Sequence, residues 1–175
     1  INNSGVDAIF VGGSLILDNN CERRVSVIKS LSELPVIFFP GGISQLNKYY
    51  DAMLFMSILS GRNPHYLIGE QVLAAPIVKD LGIEVIPTGY LIVDGGNNSS
   101  VQFMSGSNPI PIEKPDILVA HALAAQYLGK KLVYLESGSG AKKSIPNKLV
   151  NAVNSYIDVP IIVGGGIRSP ESAYE

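Results

Sequence analysis

Cysteine is nearly absent from this chain of 175 residues: Cys21 is the only one. An intramolecular disulfide is therefore impossible, and so is a cysteine metal cluster. An intracellular, cytoplasmic setting is the simplest expectation. Charge is also sparse, at 16% of residues with a formal net charge of −2. Nucleic acid demands a basic stripe, so no nucleic-acid partner is expected. Long apolar runs are missing too. A membrane span needs roughly 18–20 apolar residues. The longest stretches here, 52–59 and 85–93, are far shorter and are interrupted by polar residues, Pro or Gly. No signal peptide opens the chain at Ile1, and neither does an initiator methionine. The chain is therefore expected to be an internal piece, or the ordered part, of a longer protein. Its first residues resemble the end of a helix and its last ones the beginning of another.

What is present is a hydrophobic content of 46%, which suits a globular domain with a sizeable core. Six apolar runs read as buried strands, at 7–11, 35–39, 51–55, 84–93, 131–136 and 159–163. Most are continuous in Val, Ile, Leu and Phe, the pattern of parallel strands covered on both faces. Helical periodicity appears at 21–31, 64–81, 114–128 and 146–156. Strand alternating with helix means βαβ units and a parallel sheet. Glycine stands at or just after nearly every strand's C-terminal end, as in Gly12-Gly13, Gly41-Gly42 and Gly164-Gly165-Gly166. In a barrel those ends form the substrate face. An open doubly wound sheet concentrates its ligand loops at one switch point instead. The recurrence of glycine favours the barrel. The fold class expected is α/β, a single (β/α)8 TIM-barrel domain over 1–175. It would lack the first strand and the last βα unit. The Gly-, Asn- and Ser-rich stretch 94–111 is the least structured part, either a mobile flap or a surface loop.

Two motifs suggest chemistry. An apolar strand runs into Gly164, Gly165 and Gly166, then a helix opens with Ser169 as N-cap and Pro170 in its first turn. Consecutive unhindered amides can wrap a phosphate, and such loops recur after the seventh strand of barrels. A ligand-free strand–helix turn is the alternative. The second motif is Tyr134-Leu135-Glu136-Ser137-Gly138-Ser139-Gly140-Ala141. It joins an acid at a strand end to a flexible Ser/Gly loop, a proton acceptor beside anion-binding amides. Glu136 could equally pin the loop through backbone hydrogen bonds. His65 and His121 have no metal-ligand partner nearby in sequence, and Lys142-Lys143 reads as a solvated pair.

YLESGSGA at 134–141 resembles the YLE-x-GSGA signature of the geranylgeranylglyceryl phosphate synthase family. FFPGGISQ at 38–45, SGRNP at 60–64, PTGYL at 87–91 and VGGGIR at 163–168 resemble further segments of that family, in the same order. The resemblance implies a prenyltransferase. The C3 hydroxyl of sn-glycerol 1-phosphate attacks C1 of geranylgeranyl diphosphate, and diphosphate leaves with Mg2+ beside it. It implies glycerol phosphate binding by Tyr134, Leu135, Glu136, Ser137, Gly138, Ser139 and Gly140 and by the amides of Gly164, Gly165 and Gly166. Glu136 is implied as the group that orients or deprotonates the hydroxyl. A carboxylate repels phosphate, so Glu136 is expected away from the glycine loop. Ser14, in VGGS at 11–14, matches a magnesium ligand, although a serine after two glycines is otherwise an ordinary N-cap. The family's Asp ligand and its eighth-strand phosphate loop match no residue here. A prenyl groove is expected to draw on Phe55, Leu59, Tyr66, Leu67 and Tyr90, with core packing as the alternative role for each. A homo-oligomer and peripheral membrane contact for product release are further implications. A sugar-phosphate isomerase, a flavin mononucleotide oxidoreductase, a heptaprenylglyceryl phosphate synthase and a catalytically silent binding or structural barrel are the competing readings.

Overall fold

A computed structural model describes Asn2 and residues 5–174. The chain divides into two compact units. One holds residues up to Phe55 together with Ile68–Ile86, and the other holds Met56–Leu67 and the residues from Pro87 onward.

In the first unit, β1 (Ile9–Gly12) pairs in parallel with β2 (Val36–Phe39), Ile9 opposite Val36 and Gly12 opposite Phe39. β2 pairs in parallel with the start of β3 (Ala52–Ile58). Helix α1 (Cys21–Leu31) links β1 to β2, with Glu22 in its first turn and Lys29 in its last, charges that complement the helix dipole. Helix α2 (Glu70–Leu81) leads into β4 (Glu84–Ile92). Alternation along the strands turns Val36, Phe38 and Met53 toward the helices. There they form a core with Val25 of α1 and Ala74 and Val78 of α2. The helical signal at 64–81 resolves into two pieces, a π-turn at His65–Gly69 and then α2, which carries Pro76 in its interior.

In the second unit, β4 pairs in parallel with β5 (Leu132–Glu136), and β5 with β6 (Ile161–Gly164). Leu91, Val93, Val133 and Leu135 pack against Leu118, Ala122 and Ala125 of α4 (Pro115–Tyr127) and Leu149 and Val153 of α5 (Asn147–Asn154). Their sequence neighbours Thr88, Tyr90, Ile92 and Tyr134 are buried on the other face. Both faces of these strands are covered, which is why the runs do not alternate. Helix α6 (Pro170–Tyr174) follows β6.

Two expectations change. The third strand runs to Ile58 and not to Phe55. The stretch 94–111 is not featureless. It carries helix α3 (Ser100–Ser105), capped by Ser99 accepting from the Gln102 amide, and a bridge from Val93 to Ile110. Among the described residues, no helix is long and apolar enough to cross a membrane.

Candidate active site

The parallel register of the second unit sets Ile92 beside Glu136 and Glu136 beside Gly164. Three strands thus end together, each feeding a loop. Because Val133 and Leu135 face the helices, Tyr134 and Glu136 share the opposite face. Glu136 is only 7% exposed. Its Oε1 accepts from the Gly138 amide at 2.6 Å. The Tyr90 hydroxyl donates to the same carboxylate. Burial pushes the Glu136 carboxyl above the ordinary glutamate range, and the two donors offset part of that rise. Burial, with the carboxylate charge second, lifts the Tyr134 hydroxyl to about 12. The same two causes raise Tyr90 well above the usual phenol value. Both phenols therefore stay protonated at neutral pH, and their rings lie 5.4 Å apart.

The glycine turn closes onto this acid. A side chain on Gly164 would strike the Tyr134 hydroxyl, and its Cβ would lie 2.9 Å from Glu136 Oε2. On Gly165, with φ +83°, a Cβ would meet Ser137 Oγ at 2.5 Å and Glu136 Oε1 at 2.7 Å. Only glycine allows this approach in this conformation. Ser137 fastens the two loops, its amide and its hydroxyl both donating to the Gly164 carbonyl, at 3.0 and 3.2 Å. Arg168 adds a third tie, donating from Nη2 to the Ala141 carbonyl at 3.1 Å. The Lys142 and Lys143 amides donate to the Gly95 carbonyl at 3.0 and 3.3 Å, so the segment after β4 is bound to the same loop.

The expected residues fall into three groups. Tyr134, Glu136, Ser137, Gly138, Gly164 and Gly165 come together. Leu135 points the other way into the helix-facing core, Ser139 and Gly140 are exposed, and Gly166 sits against Lys143 and Ser144. The carboxylate is not remote from the glycine turn, as charge repulsion led us to expect. It rests against the neutral backbone of Gly164 and Gly165, which sets no like charge beside it. Of the groove residues, Phe55 packs against the first core and Leu59 against the second, while Tyr66 and Leu67 lie half-buried in the π-turn. Tyr90 belongs to the Glu136 cluster. Its role as hydrogen-bond donor was missed, and so was that of Arg168.

Ser14 is half-buried and follows Gly13, whose carbonyl accepts from Gln45 Nε2 at 2.7 Å. Gln45 is 5% exposed, and its Oε1 has no hydrogen-bond partner among the described residues. The Ser14 hydroxyl is a hard oxygen, which suits magnesium in type. Among the described residues there is no group of three or more His, Cys, Asp or Glu side chains placed to hold a metal.

The sequence profile of the PcrB family matches residues 1–175. A geranylgeranylglyceryl phosphate synthase of Chitinophaga pinensis is 48% identical over 169 residues, covering 97% of this chain and 67% of the relative. That of Thermococcus sibiricus is 52% identical over 172 residues, covering 98% and 67%. Two solved structures align at a TM-score of 0.90 and 40% identity, covering 97% of this chain and 68% of each: wild-type GGGPS from Thermoplasma volcanium, and (S)-3-O-geranylgeranylglyceryl phosphate synthase from Thermoplasma acidophilum in complex with its substrate sn-glycerol-1-phosphate. The likeness places the chain in the fold class of these enzymes, the α/β barrel class expected from the sequence.

Proposed function

The chain belongs to the PcrB family, and from that premise we propose that it is a prenyltransferase joining geranylgeranyl diphosphate to sn-glycerol 1-phosphate. The names of its relatives and the substrate in the Thermoplasma acidophilum complex support this reading. The observation that carries it is the buried Glu136, raised in proton affinity and fixed by Tyr90 and Gly138 beside a three-glycine turn.

In the reaction, the C3 hydroxyl oxygen of glycerol phosphate forms a bond to C1 of the prenyl chain. The bond from C1 to the diphosphate oxygen breaks, and its electron pair leaves with diphosphate. The hydroxyl proton passes to Glu136. A carboxylate held between two donors cannot swing away, so its free lone pairs stay aimed at the hydroxyl. The phosphate of the substrate takes the far side of the turn, toward Gly166 and the Arg168 guanidinium, which keeps it off the carboxylate. Ser14 would supply a hydroxyl oxygen toward magnesium. That ion, when bound, neutralises charge on the departing diphosphate.

The reading extends to a cytoplasmic homo-oligomer that touches a membrane peripherally as the lipid product leaves. The exposed Phe103 of α3, at 85%, would favour such contact. A product assay with glycerol 1-phosphate, magnesium and prenyl diphosphates of graded length tests the function. Formation of geranylgeranylglyceryl phosphate is expected. Faster turnover of heptaprenyl diphosphate would overturn the C20 assignment, and no product from any donor would overturn prenyl transfer.

A further inference from the structure

Asp94 follows β4, and the reaction described above makes no use of it. Its Oδ1 accepts from the Gly96 amide at 2.8 Å. The Gly95 carbonyl belongs to the same peptide group as that amide, and it accepts from the Lys142 amide at 3.0 Å. The Lys142 amide in turn shares a peptide group with the Ala141 carbonyl, which accepts from Arg168 Nη2 at 3.1 Å. The three bonds therefore form one chain. It runs from the Arg168 guanidinium through two peptide groups to the Asp94 carboxylate, and every N–H in it points toward the acid. Among the described residues, neither end charge forms an ion pair.

The charges suit the direction of the chain. The cation sits at a carbonyl oxygen, the anion at an amide hydrogen, and the two peptide dipoles lie head to tail between them. Aligned hydrogen bonds polarise one another, and bonds to an ionised group are the stronger kind. The chain also crosses three loops, those that follow β4, β5 and β6. Its middle lies against the site. Gly95 is buried, and a Cβ on it would strike the Ser137 carbonyl oxygen and lie 2.8 Å from the Ala141 Cβ. The Ser137 carbonyl belongs to the peptide group whose Gly138 amide donates to Glu136. A shift of Gly95 is thereby a shift of the loop that holds Glu136.

We propose that Asp94 and Arg168 are a pair of positioning residues, opposite charges at the two ends of one hydrogen-bond chain that clamps the loop 137–144 into the shape receiving glycerol phosphate. Asp94 touches no substrate and acts through Gly95 and Lys142. The inference rests on the glycerol phosphate reading of the site. It adds an acid that neither the glycine turn nor the proton transfer to Glu136 requires.

Asp94→Asn keeps an acceptor and the local turn to Gly96 but removes the charge. The share of molecules with the loop in its receptive shape should then fall. Kd for glycerol 1-phosphate, read by calorimetric titration, should rise by about 5–10-fold, the difference between a charged and a neutral hydrogen bond. Arg168→Met should weaken binding at least as much. With methionine at 168 the chain has already lost its donor, so Asp94→Asn should add little further. In turnover Asp94→Asn should raise KM for glycerol phosphate and leave KM for prenyl diphosphate at its wild-type value. Hydrogen exchange at the Lys142 amide reads the chain without any ligand, and Asp94→Asn should speed it from a different loop. A purely local turn at Asp94 predicts unchanged affinity, and that result overturns the inference. So does an equal effect of Asp94→Asn with arginine or methionine at 168, or an equal rise in both KM values. Glycerol phosphate bound by the wild type, with affinity and exchange unaltered in Asp94→Asn, would remove the clamp and leave the function standing. No glycerol phosphate binding by the wild type, with faster exchange at Lys142 in the variant, would do the reverse.

Discussion

In the proposed reaction Glu136 takes the hydroxyl proton, and two of its properties can be tested separately. Gln at this position keeps an acceptor for Gly138 and Tyr90 but cannot take a proton. A positioned general base contributes about 10²–10⁴-fold, so Glu136→Gln should lower kcat by that factor with the fold retained. Near wild-type turnover would reduce Glu136 to a loop anchor. Its pH behaviour follows from the raised carboxyl. The ionised form is the base, so kcat should rise with pH through a value above the ordinary glutamate range. Stability runs the other way. Between the unfolded value and the raised folded one, the folded state binds more protons, so stability falls as pH increases and then levels off. Glu136→Gln should abolish that slope in chemical denaturation at a series of pH values. Gly165→Ala tests the closeness of the two loops. Its methyl would meet Ser137 and Glu136 and displace the carboxylate. A misplacement of about 1 Å can cost on the order of 10²-fold, and a loss of that order in kcat is expected. The Glu136 motif was legible in sequence because an acid at a strand end before Ser and Gly is a local pattern. Tyr90 was not. Its bond to Glu136 depends on the pairing of β4 with β5, where Tyr90 lies opposite Tyr134, and no local pattern encodes register.

At the scale of elements, five of the six strands were read to within a few residues, because buried parallel strands are continuous apolar runs. The third was cut short at Phe55. Ser57 looks like an interruption, yet its hydroxyl accepts from Lys130 Nζ at 2.8 Å. A long-range partner makes a polar residue acceptable inside a strand, and sequence alone does not reveal that partner. Helix α3 was hidden for a different reason. A six-residue helix in a run of Asn, Ser and Gly has too few apolar positions to show a period. Helix α2 offers the clearest test of element stability. Pro76 is exposed in its interior, where proline has no amide to donate and crowds the carbonyl one turn back. In an exposed helix interior Pro is about 3 kcal/mol less favourable than Ala. Pro76→Ala should therefore stabilise the protein by about 1–3 kcal/mol in urea denaturation, the lower figure allowing for adjustments the helix has already made. Unchanged or reduced stability would show that the native helix has absorbed the proline entirely.

For the whole molecule, what sequence conveyed best was the succession of glycine-bearing strand ends. Every strand-end motif lies at or beside the end of a strand in the structure, since backbone that must approach a ligand or another loop leaves glycine behind. The division into two compact units was not legible, because β3 and β4 each contribute residues to both and no linker separates them. That division gives the last prediction. The groups assigned to glycerol phosphate, Glu136, Ser137, Gly138, the Gly164–Gly166 turn and Arg168, all belong to the unit that begins at Met56. A ligand that binds only the folded state stabilises it by RT ln(1 + [L]/Kd), about 2.7 kcal/mol at one hundred times Kd. Glycerol 1-phosphate should therefore raise the melting temperature with a logarithmic dependence on its concentration. Its mirror-image isomer, glycerol 3-phosphate, should do so less well, because it cannot place hydroxyl and phosphate on Glu136 and the glycine turn together. If calorimetry shows one transition, the whole of it should move. If the two units melt separately, the transition of the Glu136 unit should move and the other should stay. A shift confined to the other transition would place the phosphate away from Gly164–Gly166, and no shift at saturating ligand would remove glycerol phosphate as the substrate.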